Sequence, residues 1–147
     1  RCQIIRFKPY SDEELKKIFE ASKYKTTDLL SDSAVAESLI FISNGSPGKL
    51  LENLEFWNQI PENIKDDIRL PLKNYERILL LAKNITSDLN LEQQEFLLNY
   101  IQRSWWSSTK NKKIIEILEN IKSNINLNIQ PRLSWEVGLL NIKIKES

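Results

Sequence analysis

The sequence predicts an all-α fold, a small three-helix unit followed by a longer helical bundle. Apolar residues recur at helical spacing through nearly every segment, which is the primary signature of amphipathic helices. Helix-start and helix-stop residues bracket those segments. Strand-like alternation is confined to residues 2–7, where Ile4, Ile5 and Phe7 suit a short strand ending at Lys8-Pro9.

Ser11 and Glu14 have the spacing of a capping box, in which hydroxyl and carboxylate each satisfy an orphan backbone donor. The helix they open carries Leu15, Ile18 and Phe19 on one face, and a polar stretch over 22–28 follows. A second helix is predicted over 33–43 from Val35, Leu39 and Ile42. Asn44-Gly45 ends it, because glycine enters the left-handed conformation of a helix terminus without penalty. Ser46 then caps a third helix with Pro47 at its first position, where no N–H is needed. Leu50, Leu51, Leu54 and Trp57 mark its buried face.

Pro61 and Pro71 punctuate the next stretch and place a boundary near residues 58–62. Longer helices are predicted over 73–84, 91–107 and 111–123. Ile114, Ile117, Leu118, Ile121 and Ile125 form the cleanest amphipathic stripe. The last helix, from Pro131, carries Leu133, Val137, Leu140 and Ile144 on one side and Trp135, Leu139 and Ile142 on another. A helix apolar on two sides is expected to pack against two neighbours.

Composition excludes much chemistry. With 21 basic and 20 acidic residues in 147, the net charge of +1 gives no general attraction to nucleic acid or membrane. There is no histidine, the commonest acid/base group and zinc ligand. The lone Cys2 excludes an internal disulfide and every paired-cysteine motif. Apolar runs such as 78–82 fall far short of the ~20 residues that span a bilayer, and no signal peptide is visible, so a cytoplasmic location is expected. The chain lacks methionine and opens on Arg1, which predicts a piece of a longer protein.

Asn44 to Lys49 superficially resembles a phosphate loop, but it lacks the spacing and follows a helix instead of a strand. As a tight joint between helices it needs no ligand. Arg103, Trp105, Trp106, Lys110, Lys112 and Lys113 mix aromatics with cations, a combination that stacks bases and holds phosphates. The plainer reading puts the tryptophans in a core and the lysines in water. The carboxylate pairs Glu13/Glu14, Asp66/Asp67 and Glu116/Glu119 lie on polar helix faces, where acid/base work is not expected. Arg132 and Glu136 stand at the spacing of a local ion pair, with a neighbouring subunit as the other candidate partner.

Three motifs in order carry a family resemblance. Arg1-Cys2-Gln3, then Ile5-Arg6-Phe7 and residues 11–15, resemble the segment that closes the ATPase domain of bacterial clamp-loader (AAA+) subunits. Gly45, Ser46, Pro47 and Gly48, leading into Lys49, look like the glycine joint of that family's helical lid in its delta prime members. Residues 128–140 are similar to the last helix of the delta prime collar domain. The resemblance implies a tail of the ATPase domain at 1–8, a three-helix lid at 9–58 and a helical-bundle collar at 59–147.

By that resemblance Arg1 is the arginine finger that reaches a neighbouring subunit's ATP in the full-length parent, a role suited to a planar, permanently charged group. In motor subunits of the family the lid joint carries a nucleotide-sensing arginine; Gly48 stands there in this chain, beside Lys49, which fits the non-motor delta prime type over tau/gamma. The implied role is non-catalytic: collars form a ring that holds together the polymerase III clamp loader, which places the sliding clamp on primed DNA. The implied partners are the tau/gamma and delta subunits, with DNA met only indirectly and no cofactor, metal or membrane. The expected subunit-interface residues are Trp105, Trp106, Arg132, Trp135, Glu136, Leu139 and Ile142. The alternatives are the equivalent region of the tau/gamma subunit and a generic helical adaptor with weak nucleic-acid contact.

Overall fold

The computed structural model describes residues 8–22, 33–127 and 129–146. Among the described residues there are eight helices and no strand. The strand expected over 2–7 and the finger Arg1 lie outside the described residues. The chain divides into two compact units, Arg1–Glu55 and Phe56–Ser147.

In the first unit α1 (Asp12–Ala21) begins at the expected box: Glu14 N–H donates to Ser11 Oγ at 3.3 Å, and Ser11 N–H donates to Glu14 Oε2 at 2.8 Å. Leu15 and Phe19 are buried, and α1 packs on α2 (Ser33–Ile42), which contributes Leu39 and Ile40. α3 (Pro47–Gln59) adds Leu50 and Leu54 to the core of this unit. Leu51, expected on the same face, is exposed, because a residue adjacent to Leu50 is turned about 100° around the helix axis. One buried polar contact supports these apolar residues. Asn53 Nδ2 donates to Ser43 Oγ at 3.0 Å, and that hydroxyl donates to the Leu39 carbonyl at 2.6 Å.

The second unit comprises the end of α3, α4 (Glu62–Asp67), α5 (Tyr75–Asp88), α6 (Leu91–Thr109), α7 (Lys112–Asn126) and α8 (Pro131–Glu146). The punctuated stretch around Pro61 contains the short helix α4, which its six residues made hard to detect by periodicity. The division between units falls inside α3, before the break suggested by Pro61. Phe56 and Trp57 belong to the second unit's aromatic cluster: their rings lie 5.6 Å from Phe96 and 4.5 Å from Tyr100. Asn74, Asn90 and Asn111 cap α5, α6 and α7 by accepting first-turn backbone N–H groups. α8 is the central packing partner, lying against both α5 and α7, while α6 pairs with α7.

Gly138 permits the close approach of α8 to α7. A Cβ there would overlap Cγ1 and Cδ1 of Ile121, a buried side chain that would have to shift within the core. Glycine within a helix costs roughly 1 kcal/mol relative to alanine. Its retention in mid-helix is explained by contact, since overpacking a core costs about 1–3 kcal/mol.

Two predictions follow from this packing and capping. Gly138→Ala is expected to lower stability by up to about 2 kcal/mol in thermal or denaturant unfolding, the steric cost exceeding the gain in helix propensity. Adding Ile121→Val, which removes one of the two overlapping carbons, should recover part of the loss. For Glu14, the Ser11 N–H, then the Ser11 hydroxyl and Lys17, hold the carboxyl below its ordinary 4.5 against a small opposing effect of desolvation. A lowered folded-state value means stability present above pH 4.5 and lost as pH falls through the folded value. α1 should therefore fray selectively in that acid window. An NMR titration giving Glu14 its ordinary value would show that the box contributes nothing.

Candidate functional site

The glycine joint is a structural corner built in two steps. Asn44 and Gly45 both have positive φ, 48° and 75°. The Gly45 carbonyl accepts the Tyr10 N–H at 2.9 Å. A Cβ on Gly45 would meet the Tyr10 carbonyl oxygen at 2.8 Å, so both conformation and space require glycine. Ser46 Oγ then accepts the Lys49 N–H at 3.3 Å and caps α3, which starts at Pro47. Gly48 is under no such constraint, since a Cβ there meets nothing within 4 Å. Lys49 Nζ is engaged by Glu52 Oε2 at 2.7 Å on the surface.

Trp105 and Trp106 separate in the structure. Neighbours on a helix point about 100° apart, so a single apolar stripe takes only one of them. Trp105 continues the buried line of Gln94, Leu97, Leu98 and Ile101 and is 1% exposed. Its indole N–H donates to the Ile68 carbonyl at 2.8 Å. Trp106 is 37% exposed, and Lys110 Nζ stands 5.7 Å from its ring centroid.

α8 presents its two apolar sides differently. Trp135, Leu139 and Ile142 are core residues, and Trp135 Nε1 donates to Gln94 Oε1 at 3.0 Å. A small gap bordered by Leu72, Ile78, Leu81, Trp105, Leu139 and Ile142 has no room for water. Trp105, Trp135, Leu139 and Ile142, expected as subunit contacts, are buried within the chain. The opposite side is open, with Leu133 50% and Val137 47% exposed. Leu127 and Ile129, which precede α8, are also exposed. Arg132 Nε donates to Glu136 Oε1 at 2.8 Å along its flank, a partly exposed pair worth little by itself.

The acidic pairs offer no arrangement for acid/base chemistry: Asp67 pairs with Arg77, Glu116 with Lys112 and Glu119 with Gln102. Among the described residues no cluster could hold a metal ion, and no helix is long and apolar enough to cross a membrane. Two important residues escaped the sequence reading. Gln94 sits on the buried stripe of α6, where a polar residue signals an internal hydrogen-bonding partner. Gly138 interrupts an apolar helix, a signal of close backbone approach.

A protein-family model described as cyanobacterial DNA polymerase III delta prime, C-terminal domain, matches residues 13–142. Comparisons with characterised proteins and with solved structures returned no match.

The division between the adjacent tryptophans can be measured. Trp105→Phe removes the donor to a buried carbonyl and leaves a void, so a loss of about 2–4 kcal/mol in unfolding free energy is expected. Trp106→Phe should cost under about 1 kcal/mol. Equal losses would mean that the two indoles occupy equivalent environments.

Proposed function

As the chain belongs to the cyanobacterial DNA polymerase III delta prime C-terminal domain family, we propose that it is an assembly module of the clamp loader, contributing packing surface instead of catalysis. In this reading residues 9–58 are the lid and 59–147 the collar that joins the ring of tau/gamma and delta subunits. The loader they form places the sliding clamp on primed DNA. The assembly role is supported by the family assignment, and the division by the compact helical unit from Phe56 onward.

The observation that carries the reading is the outer face of α8. Leu133 and Val137 lie one turn apart and stay open to solvent although the opposite side of the helix is fully packed. Apolar residues exposed in a contiguous stripe and bordered by polar groups are the usual mark of a protein contact. Here the border is Arg132 and Glu136, already paired and able to form part of a polar rim. We assign the subunit contact to Leu133 and Val137 in place of the buried Trp135, Leu139 and Ile142. Trp106 stays outside this assignment.

Light scattering after size exclusion tests the proposal, with the chain mixed with the collar region of the matching tau/gamma subunit. A defined complex larger than either component is expected. Leu133→Asp with Val137→Asp should weaken that complex at least about tenfold, roughly 1.4 kcal/mol, while the melting temperature of the isolated chain changes little. Two separate peaks for the unmodified proteins would remove tau/gamma as the partner. A complex unaffected by the double substitution would move the contact to another face.

A further inference from the structure

We infer that the corner between α6 and α7 is a binding surface for single-stranded nucleic acid, centred on Trp106 and Lys110. The proposal is independent of the collar reading and uses residues that reading leaves idle.

Charge is concentrated at this corner. Residues 103–116 contain four cations (Arg103, Lys110, Lys112, Lys113) and one carboxylate (Glu116), a net of +3. The whole chain carries +1, so the remaining residues carry −2. The net charge of the protein therefore hides a local excess. The turn at Lys110 and Asn111 folds α7 back beside α6, and Lys110 stands beside the exposed indole, with Lys112 and Lys113 following it in the first turn of α7. Glu116 lies 3.6 Å from Lys112, whereas among the described residues no carboxylate pairs with Lys110 or Lys113. Both of these lysines are exposed.

The aromatic component separates this surface from an ordinary basic patch. Trp106 is partly exposed, and the flexible Lys110 side chain brings its ammonium over the ring. Lys110 is also the residue that ends α6, in the left-handed conformation at φ 51° and ψ 24°. Glycine or asparagine takes that conformation at lower cost, and here the position carries a cation instead. A base stacked on the indole would leave its flanking phosphates beside the lysines, the pairing of platform and charge that holds single strands without reading sequence. A duplex keeps its base faces covered, so Trp106 selects the unpaired strand.

The test is fluorescence anisotropy of a labelled oligothymidylate of about 20 nucleotides, long enough for sites of this kind, with the 147-residue chain at low salt. Saturable binding is expected, weaker to duplex of the same length, with log K falling against log salt at a slope of about −2 for three phosphates. Trp106→Ala should weaken the single-strand complex about 5- to 100-fold, and Trp106→Phe should retain most of it. Lys110→Glu with Lys113→Glu should abolish binding while circular dichroism keeps the helical signal. No binding at low salt, or binding indifferent to Trp106→Ala, would overturn the proposal. So would stronger binding of an oligoglutamate peptide than of oligothymidylate, which would make the corner a protein contact.

Discussion

Two buried indole N–H groups set the terms for the larger helical unit. An indole removed from water without an acceptor costs more than most single contacts return. Trp135 meets this requirement through Gln94, whose own amide donates to the Leu89 carbonyl at 3.0 Å. The C-terminal cap of α5, the first turns of α6 and the start of α8 are thereby linked by one short chain of hydrogen bonds. Trp105 does the same for the turn after α4, through the Ile68 carbonyl. Among the described residues no buried side-chain polar atom lacks a partner, so these polar insertions specify the packing without a desolvation debt.

The fate of α8 follows from that constraint. Both of its sides carry large apolar residues, so apolar character alone does not choose between them. The side holding Trp135 also holds Gly138, which lets α8 approach Ile121 on α7. Once that side is committed, Leu133 and Val137 must face away from the core. An exposed apolar stripe is a consequence of internal packing before it is a contact for a partner. For a module whose proposed work is assembly, core and docking face are therefore opposite sides of one helix.

The smaller unit shows the same economy in its joint. Gly45 is required by a positive φ and by the neighbouring backbone of Tyr10, while Ser46 and Pro47 start the next helix. None of these groups forms a phosphate cradle; their hydrogen bonds are spent on closing a helix and opening another. The surface ion pairs, such as Lys49–Glu52 and Arg132–Glu136, are local and exposed and add little to stability. Stability resides in the apolar cores.

Much of the architecture was legible in the residues. Ser11 with Glu14, Asn44 through Pro47, and the stripe from Ile114 to Ile125 announced helix boundaries and faces, because capping and amphipathic spacing are local properties. The short helix α4 was missed because six residues carry too little periodicity. Of the residues named as subunit contacts, Trp105, Trp135, Leu139 and Ile142 are buried within the chain, because hydrophobicity marks a residue for burial but not for burial against a chosen surface. Adjacent Trp105 and Trp106 could have been separated by helical geometry, with Trp105 on the stripe of Leu97, Leu98 and Ile101. The choice between the two sides of α8 could not, for it depends on Gln94 and Ile121, residues distant in sequence that meet its inner side only in the fold. The sequence by itself determined the longer helices, the caps at Ser11 and Ser46 and the all-α class. The tertiary structure alone decided which apolar surface became core and which was left open, because that choice requires long-range hydrogen bonds and steric fit that no local pattern contains.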